Sequence, residues 1–459
     1  MSTRRPECGV TPCHDGPQPL RSPDRTRVCY SPAPMGTTSS RWGQPLAALG
    51  GVAVLLAGLL AGWARVGGGT GGDFAVLHAM GVGVLRGANV YALNAAGEAR
   101  TYFAGASYPP GRMGVVVYPP ATGFLMAALA PIPYHPAWVL WFVVENVVLV
   151  LGIRSLVRAL VPEARTQLWT LAAGLILLSA GIRWGMMLLQ GAPLVLGLLC
   201  YFLAHLNERR PQTSAALAIV ATAFKITLAL PFLGLLLLHR RFRAVVAAVG
   251  TWVVLNIVGF WRMGGDSFVD YRTSTAAFEA IAPQNINSPN PWSIVSLPRL
   301  DWVSALYGLS GDAVFARVTS AVCALGAAGW IIYEGLRLRQ RPGPVENALF
   351  VTPLICLGSL SVYHHQYDLC LFFAPVLLLC LGPRVLRTPV WAVSLDLPLI
   401  AMLAVLPIGA AGDALFAVGG ASGVAILKLA FPACLTLAFV GSLAALHVNV
   451  ARTSLQKSS

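Results

Sequence analysis

Long apolar runs constrain this chain more than any other feature of its sequence. The first run, about residues 44–64, is long enough to cross about 30 Å of hydrocarbon as a helix rising about 1.5 Å per residue. Further candidate spans lie at about 137–158, 167–186, 190–206, 213–238, 244–261, 313–335, 346–362, 366–382, 390–407 and 424–447. Runs of this length are typical of membrane-spanning helices, which satisfy their backbone hydrogen bonds internally. The sequence therefore predicts an all-α, polytopic transmembrane bundle of about 11–13 helices.

The composition excludes an ordinary soluble domain. Charged residues make up 11% of the 459 residues, against about 25% in soluble proteins, and hydrophobic residues make up 56%. The net charge of +14 does not indicate nucleic-acid binding, because the basic residues occur in short clusters between apolar runs. We expect membrane lipid as the main solvent of the chain and no nucleic acid as a partner.

The basic clusters orient the predicted helices through the positive-inside rule. One arrangement places them all on the cytoplasmic side: Arg154/Arg158/Arg165, Arg209/Arg210, Arg240/Arg241/Arg243, Arg337/Arg339/Arg341, Arg384/Arg387 and Arg452/Lys457. The opposite, outer side then receives two long polar segments, about residues 65–135 and 262–312, and a shorter one near Asp413.

The two ends of the chain flank a single membrane domain, residues 44–450. Residues 1–43 are rich in Pro, Ser and Arg and are expected to be a disordered cytoplasmic tail, with a second short tail at 451–459. No small-residue cleavage site follows the first apolar run, so we interpret that run as an anchor. The first tail holds a group whose spacing fits no standard zinc site: Cys8, Cys13, His14 and Cys29. Six other cysteines lie in apolar runs and are expected in the core.

Two apolar stretches do not fit simple spans. The run from Thr213 to Leu238 must enter and leave on the cytoplasmic side, although it is barely long enough for one tilted helix. We interpret it as two short helices that meet near Lys225, an arrangement tolerated only inside protein or beside a cavity. The stretch from about Pro119 to Ile132 is too short to span, and we expect a helix that lies along the outer interface.

The most informative polar residue follows the first span. Asp73 begins an amphipathic helical pattern in "GGDFAVLHAMGVGVLRGANVY". A carboxylate at this place can simply cap a helix. The topology, however, puts it at the membrane boundary of the outer face, beneath a loop with Tyr102, Tyr108 and Tyr118. Ionisable residues at that depth are functional candidates.

A second polar group interrupts two apolar spans on the same face. It is the sequence "SVYHHQYD", which contains His364, His365 and Asp368. It is either a solvated turn or a place where a histidine binds a phosphate or a hydroxyl group. Three more polar residues lie in or beside spans: Arg183, Gln190 and Lys225. The cations among them suit an anionic lipid headgroup, although interfacial snorkelling explains Arg183 nearly as well.

An ordered set of short motifs resembles glycosyltransferase family 87, a branch of the C-type membrane glycosyltransferases. The motifs are "GGDF", "LRGANVYAL", "YPPATGFLMAALAPIPYHPAWVLW", "LLQGAPLVLGLLCYFLAHLNERR", "TAFKITLALPFLGLLLLHRR" and "SLSVYHHQYDLCLFFAPVLLL", which together cover about residues 45–385. The family includes α-mannosyltransferases that use polyprenyl-phosphate mannose. The resemblance implies the C-type glycosyltransferase fold, with juxtamembrane helices in the first outer loop.

The resemblance also implies roles for individual residues. It makes Asp73 the catalytic base and makes Tyr118-Pro119-Pro120 the start of a juxtamembrane helix. His364, His365, Tyr118, Lys225, Arg183, Gln190 and Asp368 are the expected substrate-binding residues. The family often has Gly-Gln where this chain has Gln190-Gly191, which leaves the role of Gln190 open. We expect no metal or other cofactor, since a lone Asp is a poor divalent site.

The expected reaction is an inverting transfer of mannose from a polyprenyl-phosphate donor to a hydroxyl group of a glycolipid or glycan. It would take place at the outer face of a bacterial plasma membrane. One carboxylate suffices, because the leaving phosphate needs no protonation. Arabinofuranose transfer from decaprenyl phosphate is the nearest alternative. A transporter or lipid flippase is an alternative of another class, but it predicts polar residues spread through several spans near the midplane. A noncatalytic scaffold predicts that Asp73 is dispensable.

Overall fold

The structure is a computed structural model that describes most of the apolar part of the chain. The described residues are 43–68, 72–95, 116–162, 166–179, 182–183, 185–186, 189–206, 211–224, 226–280, 301–338, 342–361, 366–381, 429–449 and 451. Within these ranges the regular structure is helical and contains no strand. The predicted all-α class is therefore confirmed. The predicted first tail up to residue 42, the candidate span at 390–407, the segment near Asp413 and the tail from 452 lie outside the described residues.

The helices follow one another closely along the chain. They are α1 (Gly43–Gly68), α2 (Gly72–Arg86), α3 (Val90–Ala95), α4 (Pro120–Met126), α5 (Tyr134–Leu160), α6 (Thr166–Leu178), α7 (Ala192–His205), α8 (Pro211–Phe224), α9 (Ile226–Leu238), α10 (Phe242–Met263), α11 (Ser267–Ala280), α12 (Trp302–Ser310), α13 (Ala313–Arg337), α14 (Pro344–Ser361), a 3₁₀ helix (Gln366–Phe372), α15 (Phe373–Leu381) and α16 (Leu429–Asn449).

Six helices of the described part are long and apolar enough to cross a membrane: α1, α5, α10, α13, α14 and α16. Shorter apolar helices lie between them, including α6, α7 and α9. Large apolar side chains remain exposed along α10 and α13, as expected for surfaces that face lipid. The chain is a multi-pass helical membrane protein, in agreement with the interpretation of its apolar runs.

Three predicted spans are interrupted or short. The run 213–238 divides into α8, which ends at Phe224, and α9, which begins at Ile226, and Lys225 between them lies outside the described residues. Arg241, just after α9, donates to Leu206 O, shortly before α8, which agrees with the prediction that this run enters and leaves at one end of the bundle. In the run 167–186, helix α6 ends at Leu178, and the described residues 182–183 and 185–186 are again helical. The run 366–382 divides into the 3₁₀ helix and the 9-residue helix α15. Both runs were expected to be single spans. Apolar composition predicted their burial but not where the helices end.

Helix α2 connects two membrane-spanning helices at one end of the bundle. Near its start, the ring of Phe74 lies 5.6 Å from that of Tyr134, the first residue of α5. At its other end, the Arg262 side chain near the end of α10 donates to Val84 O at 3.0 Å and to Leu85 O at 2.9 Å. Helix α7 runs parallel to α5, since Gly191 contacts Glu145 and Gly197 contacts Gly152, and Arg241 at the start of α10 donates to Leu206 O at the end of α7. The start of α5 and the end of α10 therefore lie at the same end of the bundle.

The two long polar segments also contact each other there. The amide of Asn89, just before α3, donates to the carboxylate of Asp270 in α11 at 2.7 Å. The ring of Tyr91 packs edge-on against that of Tyr271, with centroids 5.3 Å apart. These contacts join segments 65–135 and 262–312, which the positive-inside rule had assigned to one face.

The opposite helix ends form a second polar group. His239 at the end of α9 is 3.0 Å from the Asn347 side chain in α14, and Arg241 donates to Leu206 O at the end of α7. The C-terminal parts of α13 and α16 meet through Glu334 and His447, whose side-chain atoms are 2.8 Å apart. The helix ends that carry predicted cytoplasmic basic clusters are therefore grouped together.

Glycines allow the helices to approach closely. A Cβ atom added to Gly152 of α5 would lie 2.0 Å from Gly197 O in α7, and one added to Gly197 would lie 2.5 Å from Val148 O. The backbones of α5 and α7 are thus in direct contact. Small residues at such crossings are typical of membrane helix pairs, where packing replaces the hydrophobic effect as the driving force.

Candidate functional site

Asp73 lies half-buried in the first turn of α2. A carboxylate at this position is favoured electrostatically, because the first amide groups of a helix point towards it. The next residue, Phe74, is fully buried against Tyr134 at the start of α5. The packing of Phe74 therefore fixes the N-terminal turn that carries Asp73 beside the end of a membrane-spanning helix.

His78 holds the same helix one turn further along. Its ring is buried between those of Phe74 and Tyr134, with centroids 5.7 Å and 6.0 Å away. Its Nε2 lies 3.2 Å from Leu129 O and 3.1 Å from Ile132 O, and since both are acceptors this nitrogen carries the proton. Burial lowers the pKa of His78 despite these bonds, so the ring is neutral at neutral pH.

Tyr118 precedes the juxtamembrane helix α4 that the resemblance implied. Its backbone carbonyl accepts a hydrogen bond from the Tyr91 hydroxyl at 2.8 Å. Burial raises the pKa of that hydroxyl far above its usual range, so Tyr91 remains a donor. Tyr118 is half-buried at the junction between α3 and α4.

Helix α4 packs among neighbouring helices, with most of its residues buried. The Ala121 amide donates to Asn256 Oδ1 of α10 at 3.1 Å, which caps the start of α4. The Thr122 hydroxyl donates at 2.5 Å to Ala223 O, next to the break between α8 and α9. Gly123 also meets the backbone of α2, where an added Cβ would lie 2.8 Å from Met80 O. Length and apolar composition could not reveal these partners.

Gln190 lies in a tight turn before α7. Its neighbours Leu189 and Gly191 both have left-handed backbone angles, with φ of 53° and 77°. The amide of Gly191 donates to Glu145 Oε1 at 2.7 Å. Glu145 is a fully buried carboxyl in the middle of α5. The Gln190 turn is therefore attached to a membrane-spanning helix through a single acidic side chain.

Asp368 lies in the 3₁₀ helix and is almost fully buried, at 2% exposure. This burial contradicts a solvated turn at Asp368 itself. Two residues later, the Cys370 thiol donates to Ala192 O in the first turn of α7 at 3.6 Å. The 3₁₀ helix thus packs against the helix that follows Gln190, so the structure brings Asp368 and Gln190 into one neighbourhood.

The remaining candidates are less well connected. Arg183 is half-buried, and its amide donates to Ser179 O at 3.0 Å. Its buried Nε has no hydrogen-bond partner among the described residues. His364, His365 and Lys225 lie outside the described residues. Within the described ranges no group of three or more His, Cys, Asp or Glu residues is arranged to hold a metal ion.

Helix α5 connects the two parts of the candidate site. Tyr134 at its start contacts the helix of Asp73, and Glu145, about 16 Å further along the axis, contacts the Gln190 turn. Helical side chains point back towards the N-terminus, which brings the Glu145 carboxyl closer to the Asp73 end. The site residues are thus arranged at two depths along one helix.

Sequence reasoning missed His78 and Glu145. His78 is four residues after Phe74 and therefore shares its helix face, in the stretch that begins with Asp73. Glu145 is an acid inside the predicted span 137–158, which is itself a signal of function. The segments that contact these two side chains could not be predicted from the local sequence. Leu129 is 51 residues from His78, and Gly191 is 46 residues from Glu145.

Comparisons with known proteins give one result. No curated protein and no solved structure matches the chain. The model of Glycosyltransferase family 87 matches residues 117–359, a region that includes Tyr118, Arg183, Gln190 and Lys225 and begins after Asp73. Because this match covers more than half of the 459 residues, the chain belongs to glycosyltransferase family 87.

Proposed function

We propose that this membrane glycosyltransferase moves mannose from a polyprenyl-phosphate donor to a hydroxyl group of a glycolipid or glycan. Transfer takes place at the outer face of a bacterial plasma membrane and inverts the configuration of the anomeric carbon. Family membership supports sugar transfer, and the membrane-embedded helices support a donor with a long lipid tail. A donor of this kind stays in the bilayer while its sugar reaches a site at the helix ends.

The observation that carries the mechanism is the position of Asp73. Its carboxylate is half-buried at the start of α2, and the packing of Phe74 and His78 against Tyr134 restrains that turn. A general base must be held within hydrogen-bond reach of the acceptor hydroxyl. Restraint by buried aromatic side chains provides such positioning, and the carboxylate itself is only partly buried.

The proposed reaction is a single displacement. Asp73 takes the proton of the acceptor hydroxyl while its oxygen bonds to the anomeric carbon, and the bond from that carbon to the phosphate oxygen breaks. The phosphate leaves as an anion with its lipid, so no general acid is required. Cationic and hydrogen-bonding groups stabilise the charge that develops on the phosphate. His364, His365, Lys225, Arg183 and Gln190 are the proposed groups, with Tyr118 and Asp368 contacting the sugar.

The test compares Asp73→Asn with the wild-type chain in purified form. A short-chain polyprenyl-phosphate mannose is the donor, a glycolipid extract supplies acceptors, and mass spectrometry identifies the product. Asn keeps the size of the side chain but not the base, so transfer should fall by about 10² to 10⁴ while the melting temperature is nearly retained. Donor binding should also be retained.

Asp266→Asn is the matched control, because Asp266 is an exposed acid in the turn between α10 and α11. It should transfer mannose at the wild-type rate. Near-normal transfer by Asp73→Asn would reject Asp73 as the base. Wild-type transfer from a polyprenyl-phosphate arabinose donor, with none from the mannose donor, would replace the proposed sugar.

A further inference from the structure

Glu145 is an acidic residue inside a candidate membrane span, where ionisable side chains are energetically costly. Its side chain is fully buried in α5, a helix long and apolar enough to span the membrane. Its Oε2 has no hydrogen-bond partner among the described residues, while its Oε1 accepts the Gly191 amide at 2.7 Å. A carboxyl group buried in a span is a functional candidate by default. The neighbouring Asn146 is also polar, but its side chain bonds within its own helix, to Phe142 O, whereas Glu145 bonds to a turn outside α5.

The turn that Glu145 contacts is conformationally unusual. Leu189 has a φ of 53°, which is uncommon for a residue with a branched side chain, and Gly191 has a φ of 77°. Strained backbone of this kind persists only where its surroundings determine it. Here the Leu189 amide donates to Gly185 O at 2.8 Å and the Gly191 amide donates to Glu145. Of these two bonds, only the second has its acceptor on another helix, α5.

The same turn contacts a second candidate segment. Ala192, directly after Gly191, accepts a hydrogen bond from the Cys370 thiol of the 3₁₀ helix. Asp368, which lies in that 3₁₀ helix, is buried beside it. Asp368 and Glu145 both lie close enough to Cys370 to interact with it electrostatically. Glu145 therefore holds the backbone amide of Gly191, directly before the residue that contacts the 3₁₀ helix of Asp368.

We propose that Glu145 is a positioning residue of the transferase site. Its buried carboxyl holds the Leu189–Gly191 turn in its left-handed conformation and thereby sets Gln190 next to the 3₁₀ helix that carries Asp368. The proposal rests on the proposed function, in which Gln190 and Asp368 contact the donor. Glu145 itself takes no part in the proton transfer, which belongs to Asp73.

The experiment uses three variants of the full chain in detergent. Glu145→Leu removes the acceptor of the Gly191 bond, whereas Glu145→Gln keeps an acceptor oxygen at the same reach. Asn146→Leu is the matched control, because Asn146 is a neighbouring buried polar residue of α5 that donates to Phe142 O of its own helix at 2.7 Å. It tests whether any buried polar group of α5 has the same effect.

Two measurements follow for each variant. Hydrogen exchange of a peptide covering residues 187–196 needs no substrate, and Glu145→Leu should speed exchange at Gly191 on the order of tenfold. The KM for the lipid-phosphate donor should rise on the order of ten- to a hundredfold, with the KM for the acceptor unchanged. Glu145→Gln and Asn146→Leu should resemble the wild type in both measurements. If Glu145→Leu does not fold, Glu145→Asp replaces it, since its shorter side chain withdraws the carboxyl from Gly191.

Each other outcome overturns the proposal. Unchanged exchange in Glu145→Leu means that the carboxyl does not hold the turn, and faster exchange with an unchanged donor KM means that the turn does not serve the site. If Glu145→Gln changes the exchange rate and the donor KM as much as Glu145→Leu does, the charge of the carboxyl group matters and the hydrogen bond does not. A wild-type chain that transfers no sugar from the donor would reject the proposed function, while the exchange measurement would still decide whether Glu145 holds the turn.

Discussion

The Nδ2 of Asn89 donates to Asp270 Oδ2 at 2.7 Å, across 181 residues of sequence. The same Asn89 caps α3, because its Oδ1 accepts the Ala92 amide at 3.2 Å. One side chain therefore both begins a short helix and joins the two long polar segments. Since α3 follows α2 directly, this bond also restrains the helix that carries Asp73.

Exchanging the two side chains tests this bond. Asn89→Asp keeps an acceptor for Ala92 but opposes two carboxylates, so it should cost about 1–3 kcal/mol and lower the melting temperature in detergent. Adding Asp270→Asn should restore most of the loss, because the amide introduced at position 270 can donate to the new carboxylate. A double variant no more stable than Asn89→Asp would show that the bond does not form in solution.

The glycine contact between α5 and α7 predicts a steric effect. Gly152→Ala would place a Cβ atom 2.0 Å from Gly197 O, which neither backbone can avoid without moving apart. We expect a loss of about 1–3 kcal/mol and a reduced yield of monodisperse protein in size-exclusion chromatography. Gly250→Ala in α10 is the control, since an added Cβ meets nothing within 4 Å. It should be neutral or slightly stabilising, and equal damage by both changes would contradict the packing.

The sequence predicted the elements whose cause is local. Apolar length alone was enough for α5, α10 and α13. The division of the run 213–238 into two short helices followed from its basic flanks, which required both of its ends to lie on one side. The buried position of α4 was not predictable, because the Asn256 side chain that caps it is 135 residues away. No pattern within residues 119–132 indicates that this helix is held by such a partner.

The residues of the candidate site also differ in whether a local sequence pattern could identify them. Asp73 could be proposed from the sequence because a carboxylate at the start of an amphipathic pattern is a local feature. Glu145 was not, since its meaning depends on the turn at Gly191, and a helix pattern says nothing about which loop an inward side chain meets. The same limit explains why the sequence left open whether Asp368 lies in a solvated turn, whereas its burial results from packing of the 3₁₀ helix on α7.

The buried ring of His78 predicts a pH dependence. It lies in α2, outside the candidate membrane spans, and burial holds its pKa below the usual value of about 6.5. Below pH about 6.5 the unfolded chain binds a proton at this position that the folded chain excludes, so stability falls as the pH decreases through this range. The melting temperature in detergent, measured from pH 8 to 5, should show this loss.

His78→Gln should reduce that slope, because an amide can donate to the Leu129 or Ile132 carbonyl but does not titrate in this range. His135→Gln is the matched control, since His135 is exposed at the start of α5. It should keep the wild-type slope. An identical pH profile for the wild type and His78→Gln would mean that the protonation of His78 is not linked to folding.

The assignment of the outer face is the last prediction and the one on which the proposed function depends. Helix α2 and the bond between Asn89 and Asp270 group the start of α5, the end of α10 and both long polar segments at one end of the bundle. The basic clusters predict that this end faces outwards. Cysteines introduced one at a time into a cysteine-free chain, and treated in intact cells with a membrane-impermeant maleimide, test it. Asp266→Cys and Ser310→Cys, at exposed positions of that end, should be labelled.

Arg158→Cys and Arg243→Cys are the opposing pair, at exposed positions near the other helix ends. They should react only after the membrane is permeabilised, because the impermeant reagent does not reach the cytoplasm. The reverse pattern would place Asp73 in the cytoplasm, where an outward-facing lipid-phosphate sugar cannot reach it. Labelling of only one member of a pair would instead mean that a helix has been assigned the wrong direction. Asp266 and Ser310 are placed at one end of the bundle, and Arg158 and Arg243 are placed at the other.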